Sequence, residues 1–248
     1  MPDVSPNPHP SPLRWLALGW RDLLAHPAPG LLHGVLIALF GQLLLLVAHD
    51  RFWLLAGAFS GFLIVAPILA TGLYAVSRAL AAGRRLALRE VLAVWRSRDP
   101  RLVRFGLLLA LAGTGWVLSS AGLITLAAPM PIEKPLDFLR VVVLAPEPGL
   151  FEVWMLQGAL LAAPVFASTV VALPMLVDRP VPVHVAVGAS WRAVANHPVL
   201  LVAWALLIAL LVALAMLPAL LGLVVVIPWL AHASWHAYRE LAPDRREA

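Results

Sequence analysis

Trp20-Arg21-Asp22-Leu23-Leu24-Ala25-His26-Pro27, with the apolar run Leu31–Ala48 behind it, is the unit this chain repeats. It recurs as Trp191-Arg192-Ala193-Val194-Ala195-Asn196-His197-Pro198, followed by Val199–Leu217. A looser copy is Trp95-Arg96-Ser97-Arg98-Asp99-Pro100, followed by Leu102–Ala128. Each copy reads as an amphipathic segment, a corner of His or Asp with Pro, and a run long enough for a bilayer, which takes about 20 apolar residues. The corner proline sits in the first turn of the following helix, where its missing N–H costs nothing. It also pushes the residue before it out of helical geometry, so the chain bends. The predicted fold is all-α: a polytopic membrane bundle of six transmembrane helices with three cytoplasmic interfacial amphipathic helices, built as parallel repeats of one flat helix and two spans.

The composition agrees. Of 248 residues, 62% are hydrophobic and 12% charged, against roughly 25% charged in a soluble domain. The mean hydropathy is +0.90. A net charge of +5 does not call for nucleic acid, because the arginines sit beside spans, where the positive-inside rule explains them. The absence of cysteine excludes disulfides, thiol chemistry and Cys-based metal sites.

Residues 1–12 carry five prolines and read as a disordered tail. A single membrane domain fills 13–240, with repeats over about 13–83, 84–180 and 181–240, and 241–248 is a charged tail. Residues 13–25 form a flat helix with Leu13, Leu16, Trp20, Leu23 and Leu24 on its apolar stripe, while Arg14, Arg21 and Asp22 face elsewhere. Leu88, Val91, Leu92 and Trp95 mark the second flat helix, and Val183, Val187, Trp191 and Val194 the third, over 182–196. Spans are expected at 31–48, 52–76, 102–128 and 150–177. A hairpin of two more divides near Met216-Leu217-Pro218. Prolines interrupt the second span of each repeat, at Pro67, Pro174 and Pro228. Gly57, Gly61 and Gly72 are expected to allow close helix contact. The 129–149 loop is compatible with an interfacial helix or a short strand. Six spans put both termini on one side, and all but three of the 18 Lys and Arg fall there. Only Arg51, Lys134 and Arg140 fall opposite, so the terminus side is expected to be the cytoplasm and the location a bacterial inner membrane.

No hydrolase, zinc-protease or phosphate-loop motif is present, and no enzyme activity is expected. The spans hold no interior charge beyond the terminal Arg104 and Glu152, which counts against an ion-coupled pump. Gln42 and Gln157 are expected to make hydrogen bonds between spans. His26, His184, His197, His232 and His236 fall near the cytoplasmic interface, with His33 just inside. His232 and His236 share one helix face, a spacing that suits a metal or haem iron. No acidic or Cys partner stands beside them in sequence, so they are read as interfacial side chains with one wet nitrogen, or as caps of the last carbonyls. They are the sole metal candidates; no catalytic residue and no cofactor are assigned. Trp15, Trp20, Trp95, Trp191 and Trp235 read as an interfacial belt.

Three further stretches carry a resemblance: Gly61 through Pro67, Gly72 and Tyr74 to Arg78; Leu173-Pro174-Met175-Leu176-Val177-Asp178-Arg179; and His232-Ala233-Ser234-Trp235-His236-Ala237-Tyr238-Arg239. With the Trp-Arg…Asn-His-Pro element, the chain resembles bacterial integral membrane proteins of domain of unknown function 2189. The resemblance implies a multi-pass bacterial membrane protein. Some relatives carry a cytochrome c oxidase label, but no His-Pro-Glu-Val-Tyr-like metal motif occurs here.

The leading expectation is a non-enzymatic protein that binds, organises or passes a hydrophobic or amphiphilic partner in the lipid bilayer. The alternatives are a haem- or metal-linked accessory of a respiratory complex, resting on His232 and His236, and a structural protein whose partner is another membrane protein.

Overall fold

A computed structural model describes residues 10–97, 99–145 and 149–242, with the backbone alone for 59, 60, 62–68 and 95. Most of the expected N-terminal tail and of the charged C-terminal tail lies outside the described residues.

Proline corners set the helix boundaries. Helix α1 (Pro12–Ala25) ends at His26, whose φ of −146° and ψ of 72° are not helical, and α2 (Pro27–Ala48) starts on the next residue. The third flat helix repeats this. With α2 followed by α3 (Phe52–Leu69), α4 (Thr71–Ala81), α5 (Leu88–Arg96) and α6 (Pro100–Ala127), the later elements are α7 (Pro135–Phe138), α8 (Leu150–Thr169), α9 (Ala172–Asp178), α10 (Val183–Asn196), α11 (Pro198–Met216) and α12 (Leu223–Leu241). Between α10 and α11, His197 has φ −133° and ψ 54°. The ring of the following proline crowds the backbone of the preceding residue, so neither pair of helices can merge. Before α6 the corner residue is Asp99, and its carboxylate accepts the Arg101 N–H at 2.9 Å as an N-cap.

Three expectations about the elements are refined. The 52–76 span divides at Ala70 into α3 and α4, and the 150–177 span divides at 170–171 into α8 and α9. Pro67, Pro164 and Pro174 each remove one ladder hydrogen bond near these breaks. The 129–149 loop is helical in its middle, with α7 running into a π turn at Leu139–Val143, and irregular over 129–134. Between α11 and α12, Ala219 (φ 48°) and Leu220 (φ 67°) take left-handed backbone, which costs a non-glycine residue about 1–3 kcal/mol. Gln42 of α2 donates its side-chain amide to the Ala219 carbonyl and so holds that turn.

Helix α12 lies at the centre. It packs along α1 and α2 and also meets α4, α9 and α11. Elsewhere α5 packs on α4, α10 on α8 and α9, and α6 on α3 and α8. Close approaches occur at glycines not singled out in the sequence. A Cβ at Gly19 would stand 2.5 Å from the backbone N of Ala233, and one at Gly34 would strike the backbone of Val224. At Gly57 and Gly61 an added Cβ meets nothing described within 4 Å. The main core joins Trp15, Leu73, Leu173, Leu176, Trp204 and Trp235 at the end of the bundle that carries the termini.

The outside is apolar. Leu36, Leu39, Leu43 and Leu46 of α2, Leu107, Leu111 and Leu118 of α6, and Val199, Val202 and Leu206 of α11 are exposed. A monomer in water rarely presents such continuous patches, whereas lipid accepts them. Among the described residues, four segments are long and apolar enough to cross a membrane: α2, α6, residues 150–178 and α11. Among the described residues there is no strand.

Helix α1 is rotated from its expected pose. Trp15, Leu16, Gly19 and Leu23 are buried, while Leu13 and Leu24, placed on the apolar stripe, are 73% and 62% exposed. The inward face wins because α12 offers polar partners that lipid lacks. Trp15 Nε1 donates to Glu240, Arg14 pairs with the same carboxylate at 3.1 Å, and Asp22 turns inward. Trp15 and Trp235 are therefore core residues instead of belt residues, whereas Trp20 and Trp191 are partly exposed. The side chain of Trp95 lies outside the described residues.

Candidate functional site

Two arrangements stand out, one at each end of the bundle. The first grows from the histidine pair. His232 and His236 lie one turn apart on α12 and face α1 and α4. His236 Nε2 lies 2.9 Å from Asp22 Oδ2 of α1, and Ser77 of α4 donates to the same oxygen at 2.6 Å. Ser77 Oγ also lies 2.7 Å from His232 Nδ1. A hydroxyl has one proton. Because Ser77 gives it to the carboxylate, Nδ1 of His232 must be the donor to Ser77, which leaves its Nε2 as a lone-pair nitrogen. That Nε2 is buried near Gly30 and has no hydrogen-bond partner among the described residues.

Asp22 is the acidic partner that the local sequence does not supply, and it comes from the opposite end of the chain. His232 is fully buried, so neither of its nitrogens is wet. Burial pushes the Asp22 carboxyl toward protonation. The hydrogen bonds from His236 and Ser77 and the nearby histidine charges outweigh that and hold it below the usual carboxylate range. A depressed folded pKa makes this contribution complete above the ordinary value of 3.8 and lost as pH falls through the folded one. Acid melts of the purified protein should therefore show stability falling below about pH 4. Asp22→Asn should flatten that limb.

A second polar knot adjoins the first. Tyr238 donates to Asp178 at 2.6 Å, the Arg179 guanidinium stands 5.5 Å from the Tyr238 ring centre, and Arg179 also donates to the Ala242 carbonyl at 2.8 Å. Both knots tie helix ends together. Among the described residues no three His, Cys, Asp or Glu side chains are placed to hold a metal. The other histidines are scattered: His26 Nε2 lies 2.7 Å from the Leu86 carbonyl, His33 Nδ1 lies 2.7 Å from that of Pro29, and His184 is exposed.

The second arrangement is a cavity of about 480 Å³ at the other end. Phe52, Trp53 and Ala56 of α3, Trp116, Ser120 and Ala121 of α6, Phe138 of α7 and Trp154 of α8 form its wall, with Leu45 and Met216 at the side. Phe52 stacks on Phe138 at 5.0 Å, and Trp154 meets Phe138 edge-on at 5.3 Å. Trp154 Nε1 donates to Ser120 Oγ at 2.7 Å, so this indole presents only its apolar body to the cavity. A smaller pocket of about 370 Å³ shares Trp53 and Ile124 with it and reaches Thr125, Pro131 and Glu133. The junction is fixed by the backbone, where the Phe52 N–H donates to the Glu133 carbonyl at 2.8 Å. Sequence reading missed this wall because its five aromatic residues come from four different segments. Pairs such as Trp53 with Trp116 have no common periodicity to reveal them.

An all-helical bundle with a lipid-like exterior, polar knots at helix ends and an aromatic cavity is built as an integral membrane protein. The family model described as Predicted integral membrane protein (DUF2189) matches residues 54–178, just over half of the chain, and the protein belongs to that family. No curated protein matches the chain, and no solved structure does. The matched region runs from α3 to α9 and includes most of the cavity wall and Ser77, while Asp22, His232 and His236 fall outside it.

Proposed function

We propose that this is a multi-pass inner-membrane protein of a bacterium that, without catalysing a reaction, holds or passes a hydrophobic or amphiphilic molecule in the aromatic cavity. The observation that carries the reading is the cavity itself. At about 480 Å³ it falls within the roughly 300–1,000 Å³ of small-molecule sites, and its wall is almost wholly apolar. Gly57 lines it and an added Cβ there meets nothing described within 4 Å, so Gly57→Leu is the substitution chosen to fill the cavity. Native mass spectrometry of the parent chain in mild detergent should find a co-purifying apolar species, and Gly57→Leu should lose it by about tenfold or more. Equal occupancy in both would sink the proposal.

The reading includes six spans with both termini cytoplasmic, which the arginine distribution supports. Because the chain lacks Cys, single cysteines at Asp50, Arg85 and Asp137 report sidedness. An impermeant thiol reagent added outside cells should label 50 and 137 and leave 85 unlabelled. Labelling at 85 would overturn this topology. The reading also includes the threefold repeat, supported by a cyclic order of packing. Helix α5 docks on α4, α10 on α8 and α9, and α1 on α12. Each flat helix thus rests on the second span of the preceding unit, and α4, α9 and α12 meet one another.

A further inference from the structure

We infer that the occupant of the cavity is a phospholipid-like amphiphile whose head ends in an ammonium group, received between Trp53 and Glu133. This rests on the proposed reading and names the class of ligand. The cavity and the smaller pocket adjoin, with Trp53 and Ile124 in the walls of both. A molecule filling both lays its chain against Phe52, Trp116 and Trp154 and brings its polar end beside Glu133.

The charge of that polar end follows from the lining. Glu133 is the sole ionisable side chain among the described residues of the smaller pocket, and no described cation pairs with it. Its backbone is held in place. Its carbonyl accepts from Phe52, and Asp137 accepts from the N–H groups of Glu133 and Lys134 at 3.3 and 2.9 Å. The backbone of Glu133 is therefore fixed against the segment that bears Trp53, and both residues line one pocket. A pocket that offers a carboxylate and an indole suits an ammonium, since Trp is the best aromatic partner for a cation. Arg51 and Lys134 adjoin Phe52 and Glu133 in the chain and pair with no described carboxylate. They put positive charge next to the pocket in the chain, where a phosphate beside the ammonium finds a counterion. A zwitterionic head meets both signs, an anionic head brings like charge to Glu133, and an uncharged head leaves the carboxylate unused.

The test is competition on the purified full chain in mild detergent, read by native mass spectrometry. The probes are dioleoyl phosphatidylethanolamine, dioleoyl phosphatidylglycerol and dioleoylglycerol, which share their chains. Phosphatidylethanolamine should be retained about five- to tenfold over the other two. Glu133→Gln, a surface change that leaves the packing intact, should erase the preference while total lipid retained stays constant. Gly57→Leu should reduce retention of all three. Equal retention by the parent chain, a preference for phosphatidylglycerol, or a preference unchanged in Glu133→Gln would overturn the ammonium assignment and leave the hydrophobic-ligand reading standing. Retention unaffected by Gly57→Leu would overturn both.

Discussion

Asp22→Leu should destabilise the protein by about 2–3 kcal/mol and loosen α1 from the bundle. The carboxylate is the shared acceptor of Ser77 and His236. Leucine matches its bulk but accepts nothing, so the N–H of His236 and the hydroxyl of Ser77 lose their acceptor inside the bundle. Each stranded polar group costs about 1–3 kcal/mol. Because the Asp22 side chain keeps 17% exposure, water relieves part of the loss and the lower half of the summed range is expected. Two measurements separate stability from docking. The melting midpoint in detergent should fall by several degrees, and limited proteolysis should cut at the α1–α2 corner in the variant before it cuts the parent. Asp22→Asn, which keeps one acceptor oxygen, should fall between. A variant with unchanged midpoint and unchanged cleavage would show that the cluster is not what holds α1.

Gly34→Ala and Gly115→Ala should have opposite signs. Both add one methyl to a helical glycine, a change that by itself favours the helix by roughly 0.5–1 kcal/mol. At Gly115 on α6 the new Cβ meets nothing described within 4 Å, so the gain stands. At Gly34 on α2 it strikes the backbone carbonyl of Val224, which no rotamer change can move aside. Helices α2 and α12 must separate, and overpacking costs about 1–3 kcal/mol. Separation also disturbs the hold of Gln42 on the strained turn at Ala219. Paired melts in one detergent check the contrast. A Gly34→Ala variant as stable as Gly115→Ala would mean the two helices are not in the contact described.

What was legible in the sequence was what local chemistry controls. The boundaries of α1, α2, α10 and α11 follow from Pro27 and Pro198 acting on His26 and His197, a nearest-neighbour effect. The spans follow from runs of Leu, Val and Ala. The inward face of α1 was not legible, because Leu13 and Leu16 fit a helical stripe equally well whether Trp15 or Trp20 leads inward. What decides it is Glu240 and His236, at the far end of the chain. The histidine pair was visible, but its acid was not, since Asp22 and His236 are 214 positions apart. Gly57 and Gly61 illustrate a different limit. Small residues permit close packing without requiring it, and close contacts formed at Gly19 and Gly34 instead.

The pairing of α1 with α12 has a consequence for biogenesis. During translation α1 emerges first and α12 last, so Trp15 and Asp22 must wait through almost the whole of synthesis for Glu240 and His236. Until then α1 carries a charged group, Asp22, on the side that will become interior, and closure of the pair can begin only once α12 has been made. Nascent chains stalled before α12 should expose α1 to proteases that spare the finished molecule. Closure of α12 on α1 is thus the step at which the polar side of α1 is sheltered.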